Sequence, residues 1–235
     1  MANTYPLHPS SAPVGQLGVD ARSAFIVRTY QHLFGAIVAF TGLQIFFFTS
    51  GMAETIARAL LGTTWLLVLG AFMVVGWIAS RVAHTTQSLG KQYTALGAFV
   101  VAEAIIFVPL LYIANSFAPG VIQNAAFVTL LGFTGLTVVA FTTRKDFSFL
   151  GGLLRWGGIL VLVLIVAGVL FGFQLGVFFS VAMIGFAGAA ILYDTSNVIH
   201  HFPEDRYVGA SLELFASLAL MFWYVLQLFM SFNDD

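Results

Sequence analysis

The chain has 235 residues, of which 60% are apolar and only 8% are charged, and its mean hydropathy is +0.96. Soluble domains carry about 25% charged residues, so this chain has too few charges to cover a surface exposed to water. The net charge of −1 gives no indication of nucleic-acid binding, and the absence of cysteine excludes disulfides and thiolate metal sites. The composition therefore predicts that hydrocarbon surrounds most of the protein.

Residues 1–22 contain prolines among Ser, Gly and Asn but no apolar run, which predicts a flexible tail. The first apolar stretch is too long for the core of a signal peptide, so no cleaved signal is expected. Seven apolar stretches follow, each near the roughly 17–25 residues that a helix needs to cross a bilayer. In chain order they are 27–48, 63–80, 93–114, 121–141, 156–173, 175–193 and 208–229. The pattern predicts an all-α membrane protein with seven transmembrane helices over residues 23–231 and a short external C-terminus at 232–235.

Basic residues predict the orientation of these helices. If the N-terminus is cytoplasmic, eight of the nine Lys and Arg residues lie in cytoplasmic segments, and Arg58 alone lies outside. Because positive charge is retained on the cytoplasmic side, the sequence predicts a cytoplasmic N-terminus and an external C-terminus.

Four ionisable residues fall within or at the ends of the predicted spans. Glu103 lies about 15 Å into the third span, while Arg81, Asp194 and Glu213 lie near the cytoplasmic ends of the second, sixth and seventh spans. Two carboxyl groups in such a site could share a proton or pair with Arg81, forming a proton-sensitive latch. They could equally be interfacial groups that reach water or form a structural ion pair. Carboxylate oxygens also suit Ca²⁺, so Asp194 and Glu213 are candidate calcium contacts, and Glu103 has either a structural or a functional role.

Several classes of function are disfavoured by missing motifs. The chain has no HExxH zinc motif, no GxSxG nucleophile elbow and no nucleotide-binding fingerprint. Its two lysines lie in loops, which excludes a retinal Schiff base in the last span. The sequence thus predicts a protein that is not an enzyme and has no cofactor.

Longer motifs indicate a family. Residues 126–151 read AFVTLLGFTGLTVVAFTTRKDFSFLG, residues 193–195 read YDT, and residues 28–30 read RTY. Together with the last span, these segments resemble the Bax inhibitor-1 family of membrane proteins. The resemblance implies seven helices, six of which surround a central last helix. It also implies a pH-sensitive calcium leak gated by paired aspartates in some members, and modulation of the membrane AAA protease FtsH in bacterial ones.

The family residues carry over only in part. The resemblance places the first gating aspartate at Asp194 and its arginine partner at Arg81. The family has LYLD in the last helix where this chain has Leu214-Phe215-Ala216-Ser217, so Ser217 stands at the position of the second aspartate. Either Glu213, one turn earlier on the same face, replaces that aspartate, or the pair is missing. A Ser217 hydroxyl could still donate a hydrogen bond to Asp194, but it cannot carry a second charge.

The sequence therefore supports two functions. The first is an inner-membrane protein that modulates FtsH by protein–protein interaction, with the N-terminal tail offered to the protease. The alternative is a pH-sensitive calcium-leak channel gated at Asp194 with Glu213 or Ser217 and Arg81. A small-solute transporter is disfavoured, because the chain has no internal repeat.

Overall fold

The structure is a computed structural model that describes residues 12–117, 119–173 and 175–232. These residues form eight α-helices, and no β-strand occurs among them. The helices are α1 (Val19–Thr49), α2 (Met52–Leu61), α3 (Trp65–Thr85), α4 (Leu89–Phe117), α5 (Val121–Thr143), α6 (Leu150–Phe171), α7 (Gly176–His200) and α8 (Tyr207–Ser231). All but α2 are long and apolar enough to cross a bilayer, which confirms the seven predicted spans. The predicted orientation stays a prediction.

Helix α2 is the element that the hydropathy pattern missed. It has 10 residues and a length of about 15 Å, half of what a span requires. Ala53 and Ala57 bury its inner face against α1 and α4, while Glu54 and Arg58 form an ion pair on its exposed face. Such a short amphipathic helix caps one end of the bundle without crossing it.

Helix α8 forms the centre of the bundle. It packs against α1, α3, α4, α5 and α7, and buried residues occur along it from Val208 to Leu226. Helix α6 packs on α7. The prediction of a central last helix is confirmed, and α6 joins the ring through α7.

Helices α3 and α8 approach each other closely near the end of the bundle where α7 ends and α8 begins. A Cβ atom on Gly209 would lie 2.7 Å from the backbone oxygen of Ala83. Small residues at such crossings let two helix backbones come together in a membrane. Gly209 and Ala83 thus set the separation of these two helices beside the polar residues described below.

Part of the predicted tail is docked on the bundle. Pro13 pairs with Pro203 in an isolated β-bridge, and the Val14 N–H donates a 2.8 Å hydrogen bond to the Phe202 carbonyl. Val14 is fully buried, and α1 already begins at Val19. The predicted tail of residues 1–22 therefore extends too far, because its last part contacts the α7–α8 loop. Residues 1–11 and 233–235 lie outside the described part of the chain.

Candidate intramembrane polar site

Asp194 and Ser217 meet at the contact between α7 and α8. Asp194 is 8% exposed, and the Ser217 hydroxyl donates a 2.5 Å hydrogen bond to its Oδ2. Ser217 is also buried, at 7% exposure. The sequence allowed for this bond, and the structure contains it. Ser217, at the position where the resemblance implies a second aspartate in the family, is thus a neutral donor to Asp194.

Glu213 lies one turn from Ser217 but faces α3 instead of α7. Its Oε1 accepts a 2.7 Å hydrogen bond from the Ser80 hydroxyl and lies 3.1 Å from His84 Nε2. Ser80 and His84 are four residues apart, which places them on the same face of α3. Glu213 therefore ties the central helix to α3, just beyond the close approach at Gly209.

Arg81 is not part of this arrangement. Its guanidinium carbon lies 5.2 Å from the centre of the Trp77 ring, on the exposed side of α3. Within the described residues its side chain forms no ion pair or hydrogen bond, so the structure does not bring it to Asp194 or Glu213. His84 was not considered as a partner in the sequence, although its spacing from Ser80 was a usable signal.

The two carboxyl groups thus have separate partners on separate helices. No hydrogen bond joins Asp194 to Glu213 in the described ranges. The same residues contain no cluster of three or more His, Cys, Asp or Glu side chains arranged to hold a metal ion. The proposed calcium contact at Asp194 and Glu213 stays a prediction.

A large cavity of about 1040 Å³ lies along α8, between α3, α4, α6 and α7. Its lining on α8 extends from Leu212 to Ser231, a distance of roughly 28 Å at the helical rise of 1.5 Å per residue. Polar residues of α8 line it at helical spacing: Glu213, Ser217, Tyr224, Gln227 and Ser231. The cavity therefore follows a polar stripe over nearly the thickness of a hydrocarbon core, about 30 Å.

Glu103 also lines this cavity, from α4. It is 6% exposed. Unlike Asp194 and Glu213, it has no hydrogen bond or ion pair anywhere in the described chain. The sequence identified Glu103 as an acidic residue near the midplane, and the structure places it beside open space.

A second polar cluster lies outside the spans, in the loop between α5 and α6. Asp146 Oδ1 accepts a 2.9 Å bond from the Ser148 N–H, and its Oδ2 lies 2.9 Å from His201 Nε2. Ser196 on α7 accepts a 2.9 Å bond from the Phe147 N–H. These contacts fasten the loop to the end of α7. The Asp146-Phe147-Ser148 triplet could have indicated this turn in the sequence, since an aspartate that accepts a bond from the N–H two residues later is typical of turns.

The backbone N–H of Ser148, together with His201, lowers the pKa of Asp146 below its ordinary value of 3.8. A lowered pKa means that the ionised form contributes stability above about pH 4, and that this contribution is lost as the pH falls toward the folded pKa. We expect Asp146→Asn to cost under about 1 kcal/mol at neutral pH, because the carboxylate is exposed and screened.

The measurement is thermal unfolding of wild type and Asp146→Asn between neutral and acidic pH. The difference in melting temperature should narrow below about pH 4. Asp20→Asn, at an exposed position of α1, is the control. A difference that stays constant down to the acid limit would contradict this assignment.

Comparison with known proteins finds one matching family model and several similar proteins. The family model described as "Inhibitor of apoptosis-promoting Bax1" matches residues 22–234. An uncharacterised protein of Campylobacter jejuni is 30% identical over 90% of this chain and 90% of its own length. Bax inhibitor 1 of Schizosaccharomyces pombe is 26% identical over 96% of this chain and 84% of its own.

A shorter match concerns a protein whose name states a role. The "Modulator of FtsH protease YccA" of Escherichia coli is 38% identical over 46% of this chain and 49% of its own length. The chain therefore spans about half the length of that relative in the match.

Proposed function

This chain belongs to the Bax inhibitor family of membrane proteins, and we propose that it is a multi-pass inner-membrane protein that modulates the protease FtsH by direct contact. The observation that carries the proposal is the 38% identity to YccA, whose name gives that role. The names of the relatives describe modulators or inhibitors of other proteins, which favours a binding function over catalysis.

The docked N-terminal segment gives the proposal a mechanism. Residues 1–11, which contain no apolar run, are the part of the chain that we expect the protease to engage. Pulling on them first meets Pro13 and Val14, which are held by the α7–α8 loop. The next element in the chain is α1, which packs against the central helix α8. A chain that is engaged readily but extracted slowly occupies the protease and delays its other substrates.

Reconstitution tests this function. FtsH and a membrane-anchored substrate are placed in liposomes with or without the chain, and substrate loss is followed over time. We expect the wild-type chain to slow degradation, and the chain without residues 2–11 to slow it less and to survive longer itself. Gly15→Val should shorten the lifetime of the chain, because a Cβ there would lie 2.9 Å from the His200 carbonyl and would undock the segment.

Gly18→Val is the matched control, since nothing lies within 4 Å of a Cβ at that position. An unchanged rate of substrate degradation in the presence of the wild-type chain would contradict the proposed function. An unchanged lifetime after removal of residues 2–11 would contradict the role of the N-terminus.

A pH-sensitive calcium leak is the second candidate, and the cavity along α8 favours it. Glu103, Glu213 and Ser217 face one space that extends over much of the bilayer, and Asp194 is bonded to Ser217 at its edge. Uptake of Ca²⁺ into proteoliposomes across a range of pH is the test. Equal uptake by wild type and Asp194→Asn at every pH would contradict gating at Asp194.

A further inference from the structure

Glu103 is a buried acid whose surroundings differ from those of Asp194 and Glu213. Asp194 is bonded to Ser217, and Glu213 to Ser80 and His84. Glu103, at 6% exposure, has no such partner in the described residues and lines the cavity. An ionised carboxylate at this depth is costly unless a cation lies beside it. Without a cation the carboxyl group keeps its proton, and a cation beside it would instead stabilise the ionised form.

Aromatic residues line the same cavity as Glu103. Phe99 and Phe107 lie four residues before and after Glu103, on the same face of α4. Phe99 contacts the ring of Phe72 at 6.0 Å, and Phe107 contacts the ring of Trp223 at 5.0 Å. All of these residues line the cavity. Aromatic faces around an acid attract organic ammonium groups, through cation–π contact as well as charge.

Access to the cavity is from the lipid side. Met73, Trp77 and Val169 line it and are 42%, 62% and 41% exposed, and they belong to helices α3 and α6 that cross the bilayer. A ligand that enters there must itself partition into hydrocarbon. The cavity, at about 1040 Å³, is as large as the largest sites that commonly hold small molecules, roughly 300–1,000 Å³.

A divalent metal fits this place less well than an organic cation. Ca²⁺ takes about six to eight oxygen ligands, whereas no group of three metal-binding side chains occurs in the described ranges. One carboxyl group in a cavity that aromatic residues also line instead matches one ammonium group on an apolar body. We propose that the cavity is a binding site for a lipophilic amine, whose ammonium group pairs with Glu103.

The test is equilibrium binding of tritiated adamantylamine to the full chain in phosphatidylcholine nanodiscs, with empty nanodiscs as background. We expect saturable binding that adamantanol, which has the same cage without the charge, displaces far more weakly than unlabelled amine. Glu103→Gln keeps the size of the side chain but removes the charge, so it should weaken binding by roughly tenfold or more.

Glu54→Gln is the matched control, because Glu54 is exposed on α2, is paired with Arg58 and is not among the residues that line the cavity. It should leave amine affinity nearly unchanged. Equal displacement by adamantanol and amine on wild type would show that an apolar cavity binds the cage alone, and would overturn the proposal without any variant. Absence of saturable binding, or equal affinity in wild type and Glu103→Gln, would overturn it too. None of these results depends on FtsH.

Discussion

Replacement of Gly209 by alanine is expected to lower the free energy of unfolding by about 1–3 kcal/mol, the cost of overpacking a close contact. The added Cβ would lie 2.7 Å from the Ala83 backbone oxygen and 3.1 Å from its Cβ. A backbone atom cannot rotate away as a side chain can, so α3 and α8 must separate. Ser80 and His84 lie on α3 on either side of Ala83, and the separation should therefore also stretch their contacts with Glu213.

Unfolding of purified protein by titration with a denaturing detergent measures this effect. Gly97→Ala on α4 is the control, because a Cβ at that position meets nothing within 4 Å. Helical Gly→Ala changes without a clash remove flexibility from the unfolded chain and are neutral or stabilising by about 0.5–1 kcal/mol. If Gly209→Ala is as harmless as Gly97→Ala, the close approach of α3 and α8 is not required for the fold.

The seven spans could be predicted from the sequence because one physical quantity determines them. A helix must be apolar over about 20 residues to cross a bilayer, and each stretch meets that requirement regardless of its neighbours. The hydropathy pattern missed helix α2 because the helix has 10 residues and only two of them, both alanines, are buried. The docked segment at Pro13 and Val14 was missed for a different reason, since composition cannot reveal that a short segment will pair with a loop almost two hundred residues later.

The depth of the polar residues in the membrane was predictable from the sequence, but the face of the helix on which each side chain lies was not. Counting residues placed Arg81, Asp194 and Glu213 at similar heights, because every helical residue adds about 1.5 Å. The face on which each side chain lies depends on how the helix is rotated about its axis, and consecutive residues are separated by about 100° around that axis. Arg81 therefore faces outward although Ser80, one residue earlier, bonds Glu213. The bond between Ser217 and Asp194 was one of the possibilities that the family motif raised, because a motif carries information on direction that hydropathy does not.

Ser217→Ala is expected to lower the free energy of unfolding by about 1–3 kcal/mol, the cost of leaving a buried polar group without its partner. The Ser217 hydroxyl donates the one side-chain hydrogen bond that Asp194 receives within the described residues. Both side chains are buried, and Asp194, unlike Ser217, is not among the residues that line the cavity, so loss of the hydroxyl leaves its carboxyl group without a donor. Detergent-induced unfolding of the purified protein is again the measurement.

Ser211→Ala supplies the comparison, because Ser211 is a buried serine on the same helix whose hydroxyl bonds the Val208 carbonyl of its own turn. That change removes a local bond and leaves no buried acid behind, so its cost should be smaller. If the contribution of Ser217 depends on Asp194, then Ser217→Ala should cost little more once Asp194→Ala is present. Equal costs for Ser217→Ala in both backgrounds would mean that the hydroxyl stabilises α8 by packing alone, and that Asp194 is held by something other than this bond.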